Sequence, residues 1–115
     1  MSADRPETVI CHYHVKPGEE AAFAELLVKH WPALHAAGLT TDTPARHFKG
    51  IASPQPGGRN DAAQLFVEIF EWKSSGSAGV AHETPEIMAI WEPMGELCTQ
   101  MRFPHFHDFD PSAGA

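Results

Sequence analysis

Apolar and polar positions alternate from Thr8 to Val15, with Val9, Cys11, Tyr13 and Val15 on one side and Ile10, His12 and His14 on the other. A strand turns successive side chains to opposite faces, so this stretch predicts a strand. Pro17-Gly18 ends it, and Glu19-Glu20 place negative charge where a helix dipole favours it. Phe23, Leu26, Leu27, His30, Trp31 and Leu34 then follow helical spacing, with Gly38 as the stop. Pro32 inside this pattern is expected to bend the helix or to close its regular part early.

A short second strand is predicted over Ala45 to Ile51, and the turn-rich run from Ser53 to Asp61 reads as a long hairpin loop. Gln64 to Lys73 is the clearest strand. It alternates Leu65, Val67 and Ile69 with Phe66, Glu68, Phe70 and Trp72, so both faces are largely apolar and both must be covered. Ser74 to His82 is a weak helical segment. Thr84-Pro85-Glu86 restarts the helix with a capping residue, a first-turn proline and an acid. Ile87, Trp91, Met94 and Cys98 form its apolar stripe, and Pro93 is expected to kink it. Phe103 to Phe109 is the predicted last strand, where Pro104 suits only a sheet edge.

The order β-α-β-β-α-β predicts an α+β, ferredoxin-like fold: a four-stranded antiparallel sheet with both helices on one side. The first strand then lies between the third and the fourth. Val9, Cys11, Tyr13 and Val15 with Leu65, Val67 and Ile69 are assigned to the helix face. The other face is assigned Ile10, His12, His14, Phe66, Glu68, Phe70, Trp72, Phe103, His105, His107 and Phe109. Left bare, it would expose a larger apolar patch than soluble monomers tolerate, so a homodimer packing sheet against sheet is expected.

Composition narrows the classes. The chain of 115 residues reads as one domain, 1–115, with a core over about 8–109 and polar tails at 1–7 and 110–115. A net charge of −7 with only 8 Lys and Arg argues against nucleic acid as a partner. The polar N-terminus lacks the apolar core of a signal peptide, and no apolar run approaches the roughly 20 residues of a membrane span. Cys11 and Cys98 suggest neither a disulfide scaffold nor a paired zinc motif. A cytoplasmic protein with reduced thiols is the expectation.

Three short stretches carry a resemblance: Val15-Lys16-Pro17-Gly18-Glu19-Glu20, Phe66-Val67-Glu68-Ile69-Phe70-Glu71-Trp72-Lys73-Ser74, and Ala81-His82-Glu83-Thr84-Pro85-Glu86. Through them the chain resembles the dimeric α+β barrel superfamily, more closely its antibiotic-biosynthesis-monooxygenase-like branch, over roughly residues 8 to 109. The resemblance implies a small-molecule site between sheet and helices or inside the dimeric barrel. Some members oxidise polycyclic aromatic substrates without metal or flavin; others degrade haem, isomerise or decarboxylate. The haem-degrading members use an asparagine in the first strand, then a tryptophan and a later histidine. Here that strand reads Cys11-His12 and His82 precedes Trp91, so none of that triad carries over.

The matching triplets His12-Tyr13-His14 and His105-Phe106-His107 are the strongest chemical signal. If both are extended and adjacent, four imidazoles gather on one sheet face, and His12, His14, His105 and His107 could hold a divalent transition metal, with Glu68 adding a carboxylate. A metal-free reading uses the same face as an aromatic pocket requiring no cofactor. His12 or His14 is then the base and Glu68 its partner, or Glu68 the base itself. Phe66, Phe70, Trp72, His82, Phe103, His105 and His107 are the candidate ligand contacts. In the quiet alternative these histidines are hydrogen-bonded members of an interface. His30 and His35 read as surface or half-buried helix residues, the direction of His47 is open, and Cys11 belongs to the core set. The favoured function is a cofactor-independent monooxygenase-like enzyme for an aromatic or quinone-like molecule. A histidine-ligated metal protein and a non-catalytic, ligand-binding stress-related dimer are the alternatives.

Overall fold

A computed structural model describes residues 5–50 and 64–113. The elements run β1 (Glu7–Val15), α1 (Glu20–Ala36), β2 (Arg46–Lys49), β3 (Leu65–Trp72), α2 (Ser77–His82), α3 (Pro85–Glu96), β4 (Cys98–Arg102) and β5 (His105–Phe106). The sheet order is β2-β3-β1-β4, with β5 also paired to β1. Every pairing is antiparallel. This is the α+β, ferredoxin-like arrangement expected, with β1 between β3 and the last strands. The predicted hairpin loop over 53–61 lies outside the described residues.

Glycine is required at both ends of α1. Gly18 turns the chain into the helix at φ 86°, and Gly38 leaves it at φ 77°, a region costly for residues bearing a Cβ. At the C-terminus, the Leu39 amide donates to the Leu34 carbonyl at 3.1 Å and the Gly38 amide to that of His35 at 2.9 Å. Leu39 and Leu34 are both buried. These bonds satisfy carbonyls the helix leaves open, and the two leucines seal the turn.

Pro32 does not end α1, which continues to Ala36. The hydrogen bond it forfeits would have gone to Val28, which is 69% exposed, so that carbonyl lies on the side of the helix that water can reach. Pro93 likewise stands inside α3, and the helix runs on to Glu96. Thr84 takes the capping position without capping: its hydroxyl donates backwards to the Val80 carbonyl at 2.8 Å.

Two expectations are corrected. Cys98, assigned to the helical stripe, instead opens β4 opposite Val15, and the last strand is not Phe103–Phe109. Pairing runs over 98–102, stops at Phe103-Pro104, and resumes only for His105-Phe106. Proline has no N–H for the ladder, and here its carbonyl alone takes part, accepting from the Ile10 amide at 3.1 Å.

The second correction concerns β3. Its partners are Val9↔Phe70, Cys11↔Glu68 and Tyr13↔Phe66, and directly paired residues share a face. Phe66, Glu68, Phe70 and Trp72 therefore face the helices with Val9, Cys11, Tyr13 and Val15, and all eight are buried. Leu65, Val67 and Ile69 lie with Ile10, His12 and His14 on the open face, half-buried. A strand apolar on both sides carries no alternation signal to choose between its faces. Volume decides: the three aromatic rings fill the space under the helices. Phe66, for instance, lies 5.4 Å from Phe23 and the Tyr13 ring 4.9 Å from it.

Candidate functional site

A cavity of about 320 Å³ opens between the helix face of the sheet and the helices. Val9 and Tyr13 of β1, Phe70 and Trp72 of β3, His30 of α1 and Trp91 of α3 form much of its wall. Its size is at the low end of ordinary small-molecule pockets, and its lining is apolar with a few polar groups. Four further lining residues, His82, Glu92, Phe103 and His105, are also exposed, which marks the side where the cavity meets solvent.

Behind the lining residues Tyr13 and His30 stands a buried carboxylate. Glu68 has no exposed surface, yet three side chains bind it. The Tyr13 hydroxyl donates to Oε1 at 2.9 Å, His30 Nδ1 bonds the same oxygen at 2.8 Å, and His47 Nε2 bonds Oε2 at 2.9 Å. Burial pushes the Glu68 carboxyl up, but the bonds from His30, His47 and Tyr13 outweigh it and hold the group at about 2. Glu68 is thus an anion at neutral pH and can only accept. The Tyr13 phenol is pushed well up by burial and by the neighbouring Cys11 and Glu68, so it keeps its proton. Burial also pushes the Cys11 thiol up, and with it any thiolate chemistry out of the neutral range.

The tautomer of His30 follows from its two partners. Trp91 Nε1–H, a donor only, gives a hydrogen bond to His30 Nε2 at 2.7 Å. His30 Nε2 must accept, so the ring proton sits on Nδ1 and is donated to Glu68. The cavity wall therefore carries a neutral imidazole, fixed at its back by a carboxylate, with its lone pair turned toward an indole N–H. Phe70 meets the His30 ring edge-on at 5.8 Å, and His82 meets the Trp91 ring edge-on at 4.8 Å.

The residues singled out from sequence are divided by this geometry. Glu68, Phe66, Phe70 and Trp72 lie on the helix face, not with His12 and His14, so neither histidine can partner Glu68. His105 pairs with Val9 and joins the helix-side cavity, whereas His12 pairs with Arg102 on the open side. The four imidazoles of the two triplets therefore do not converge. Among the described residues no group of three or more His, Cys, Asp or Glu is placed to hold a metal ion. Phe70, Trp72, His82, Phe103 and His105 do line the cavity; Phe66 instead borders a hollow between α1 and β2. His105 Nδ1 and His107 Nε2 bind the two oxygens of Glu7, at 2.9 and 3.4 Å. That pairing, the His105 bond first, holds the Glu7 carboxyl below its ordinary range.

Sequence reading passed over three members of the Glu68 cluster: His30, Tyr13 and His47. His30 was visible in one respect, since it occupies the apolar stripe three residues after Leu27 and four before Leu34, where an unpaired polar group would be costly. A histidine there needs a buried partner, and Glu68, an acid within a strand apolar on both faces, was a candidate for it.

No protein-family model matches the chain, and no curated protein sequence matches it. Solved structures do. A Bordetella bronchiseptica protein provisionally named an antibiotic biosynthesis monooxygenase aligns with a TM-score of 0.71 at 16% identity, covering 91% of this chain and 98% of that one. SnoaB, a cofactor-independent oxygenase from Streptomyces nogalater, aligns at 0.69 and 14%, covering 94% and 96%. A Mycobacterium tuberculosis protein aligns at 0.68 and 16%, covering 91% and 96%. The chain shares the fold of these proteins. At these identities the likeness establishes the fold, and the chemistry has to be argued from this chain's own side chains. Among the described residues no helix is long and apolar enough to cross a membrane.

Proposed function

We propose that this protein is a cofactor-independent oxygenase acting on a planar aromatic or quinone-like molecule bound in the helix-side cavity, with His30 as the general base. The observation that carries this reading is the His30 ring, held between the ionised Glu68 and the cavity. The fold shared with a cofactor-independent oxygenase supports it. So does the aromatic lining of Phe70, Trp72 and Trp91.

In this reading the substrate's acidic O–H or C–H takes the place of the Trp91 indole N–H on His30 Nε2. His30 accepts the proton, and Glu68 stabilises the resulting imidazolium while itself staying ionised, as a carboxylate oriented behind a catalytic histidine does. The substrate carbanion then bonds to molecular oxygen, giving a peroxide at that carbon. Loss of the second hydrogen from the same carbon with cleavage of the O–O bond leaves a carbonyl and one water. The substrate supplies all four electrons, so no cofactor is required. The apolar walls position the ring system and keep bulk water from the carbanion.

A tricyclic anthrone is a suitable probe. Oxygen uptake should match anthrone consumed, mole for mole, and His30→Gln should lower kcat/KM by about 10²–10⁴-fold, the usual contribution of a general base. Equal turnover by the wild type and His30→Gln would remove His30 from the role.

The open face points to a second copy of the chain. Ile10, Val67 and Ile69 lie there half-buried, with Phe48 and Phe106 more than 40% exposed at its margins. Packing two such faces together would bury this surface. Ile69→Glu should then shift the sedimentation profile from dimer to monomer, and an unchanged profile would exclude this face as the interface.

A further inference from the structure

The Glu68 carboxylate has a second side. While Oε1 holds Tyr13 and His30, Oε2 is bound by Nε2 of His47, which does not line the main cavity. His47 borders instead a separate hollow of about 450 Å³ between α1 and β2, walled by Leu27, Trp31 and Phe66. Its side chain is 41% exposed, whereas that of His30 is 3% exposed. Two histidines, one buried beside the main cavity and one half-exposed at the hollow, thus bind the two oxygens of one buried anion.

The proton positions follow from the partners. Glu68 is ionised and can only accept, so His47 Nε2 carries a hydrogen. Among the described residues no hydrogen bond engages His47 Nδ1. His30 has no such spare position, because Trp91 and Glu68 occupy both of its nitrogens. His47 is therefore the one member of the cluster that can exchange a proton with solvent and keep its bond to the carboxylate.

We propose that His47 is a positioning residue that sets, through Glu68, how readily His30 takes a proton from a molecule in the main cavity. The proposal rests on the reading of His30 as the base. Imidazole is the side chain that changes charge between about pH 5 and 8. Neutral His47 leaves most of the Glu68 charge to stabilise a newly formed His30 imidazolium. Protonated His47 makes a charge-assisted bond to the same carboxylate, and a second cation on its far side is then disfavoured.

Among the described residues few other charges bear on His47. The α1 wall of its hollow, including Leu27, Val28 and Trp31, contributes no titratable group. From β3 it meets Glu68, and on its own strand Lys49 shares the hollow, with its ammonium 5.5 Å from the centre of the Phe66 ring. Arg46, the neighbour on the opposite strand face, lies over the Phe48 ring at 5.0 Å.

Imidazole resonances followed by NMR from pH 8 to 5 in the unliganded protein test this without any substrate. In the wild type the His30 signals should inflect where the His47 signals do. In His47→Gln, whose amide keeps a donor to Oε2 but does not titrate, that inflection should vanish. With anthrone as substrate, the acid limb of kcat/KM should fall in two proton-dependent steps in the wild type and in one in His47→Gln. His30 signals blind to His47 titration in the wild type, or the same number of kinetic steps in both proteins, would overturn the proposal. Lack of anthrone turnover would count against the oxygenase reading alone, since the NMR arm reads the coupling directly.

Discussion

The two faces of this sheet carry the same residue types to different ends. On the open face His12 and His14 stand half-buried beside Ile10 and Val67, and among the described residues neither has a carboxylate partner. On the helix face His30 and His47 share one fully buried glutamate, and a tyrosine completes the ring of donors. The difference teaches that a histidine acquires chemical character from what fixes its nitrogens, not from its neighbours in sequence. The paired triplets are conspicuous to the eye; the buried hydrogen-bonded cluster is assembled from single residues on four elements.

The sharpest way to break the contrast is to remove the carboxylate. Glu68→Leu leaves two imidazoles and a phenol without their acceptor inside the core, and should cost about 3–5 kcal/mol in urea unfolding and abolish anthrone turnover. A loss of less than 1 kcal/mol would mean that the cluster does not hold the helix face together.

Acid should act on the same group. Glu68 titrates near 2 in the folded chain against an ordinary 4.5, a gap worth about 3 kcal/mol of stability at neutral pH. Because the folded value is the lower one, this contribution is complete above 4.5 and drains away as pH falls toward 2. Glu68→Gln has no such charge to lose. Its urea midpoint should therefore fall less than that of the wild type between pH 6 and pH 3, and parallel losses would refute the assignment.

How much of this was legible in the sequence depends on how each signal arises. Element order, the β1 faces and the ferredoxin-like topology follow from periodicity, which local residues encode directly. The orientation of β3 was not legible, because Leu65, Val67 and Ile69 are as apolar as Phe66 and Phe70, and only the pairing with β1 distinguishes them. With β3 inverted, Glu68 was placed beside His12 and away from His30. The break at Phe103-Pro104 also escaped, because the helix stripe extrapolated through Cys98 hid the true start of β4. The cavity residues Phe70, Trp72, Phe103 and His105 were named as candidates, though on the open face, and His82 was named from the helical segment before α3.

Smaller effects sharpen the comparison further. Trp91→Phe keeps a ring in the cavity wall but removes the donor to His30 Nε2. About 1 kcal/mol of stability should be lost, read by thermal or urea unfolding, and NMR should show the His30 ring no longer confined to its Nδ1–H form. Smallest of all should be His12→Ala and His14→Ala. Each is expected to change kcat/KM with anthrone by less than threefold, because the sheet separates both residues from the cavity. A hundredfold loss from either would return the chemistry to the open face.

The position of β1 has a consequence for how the chain is built. It precedes the other described strands along the chain, yet among the described residues it pairs with β3, β4 and β5 and not with β2. Contacts such as Thr8 with Phe106 join residues from opposite ends of the described fold, a topology that slows folding. A fragment stopping at Gly50 would hold two strands with no neighbour to join them. The part of this fold up to Gly50 must wait for the part that follows before the described sheet can form.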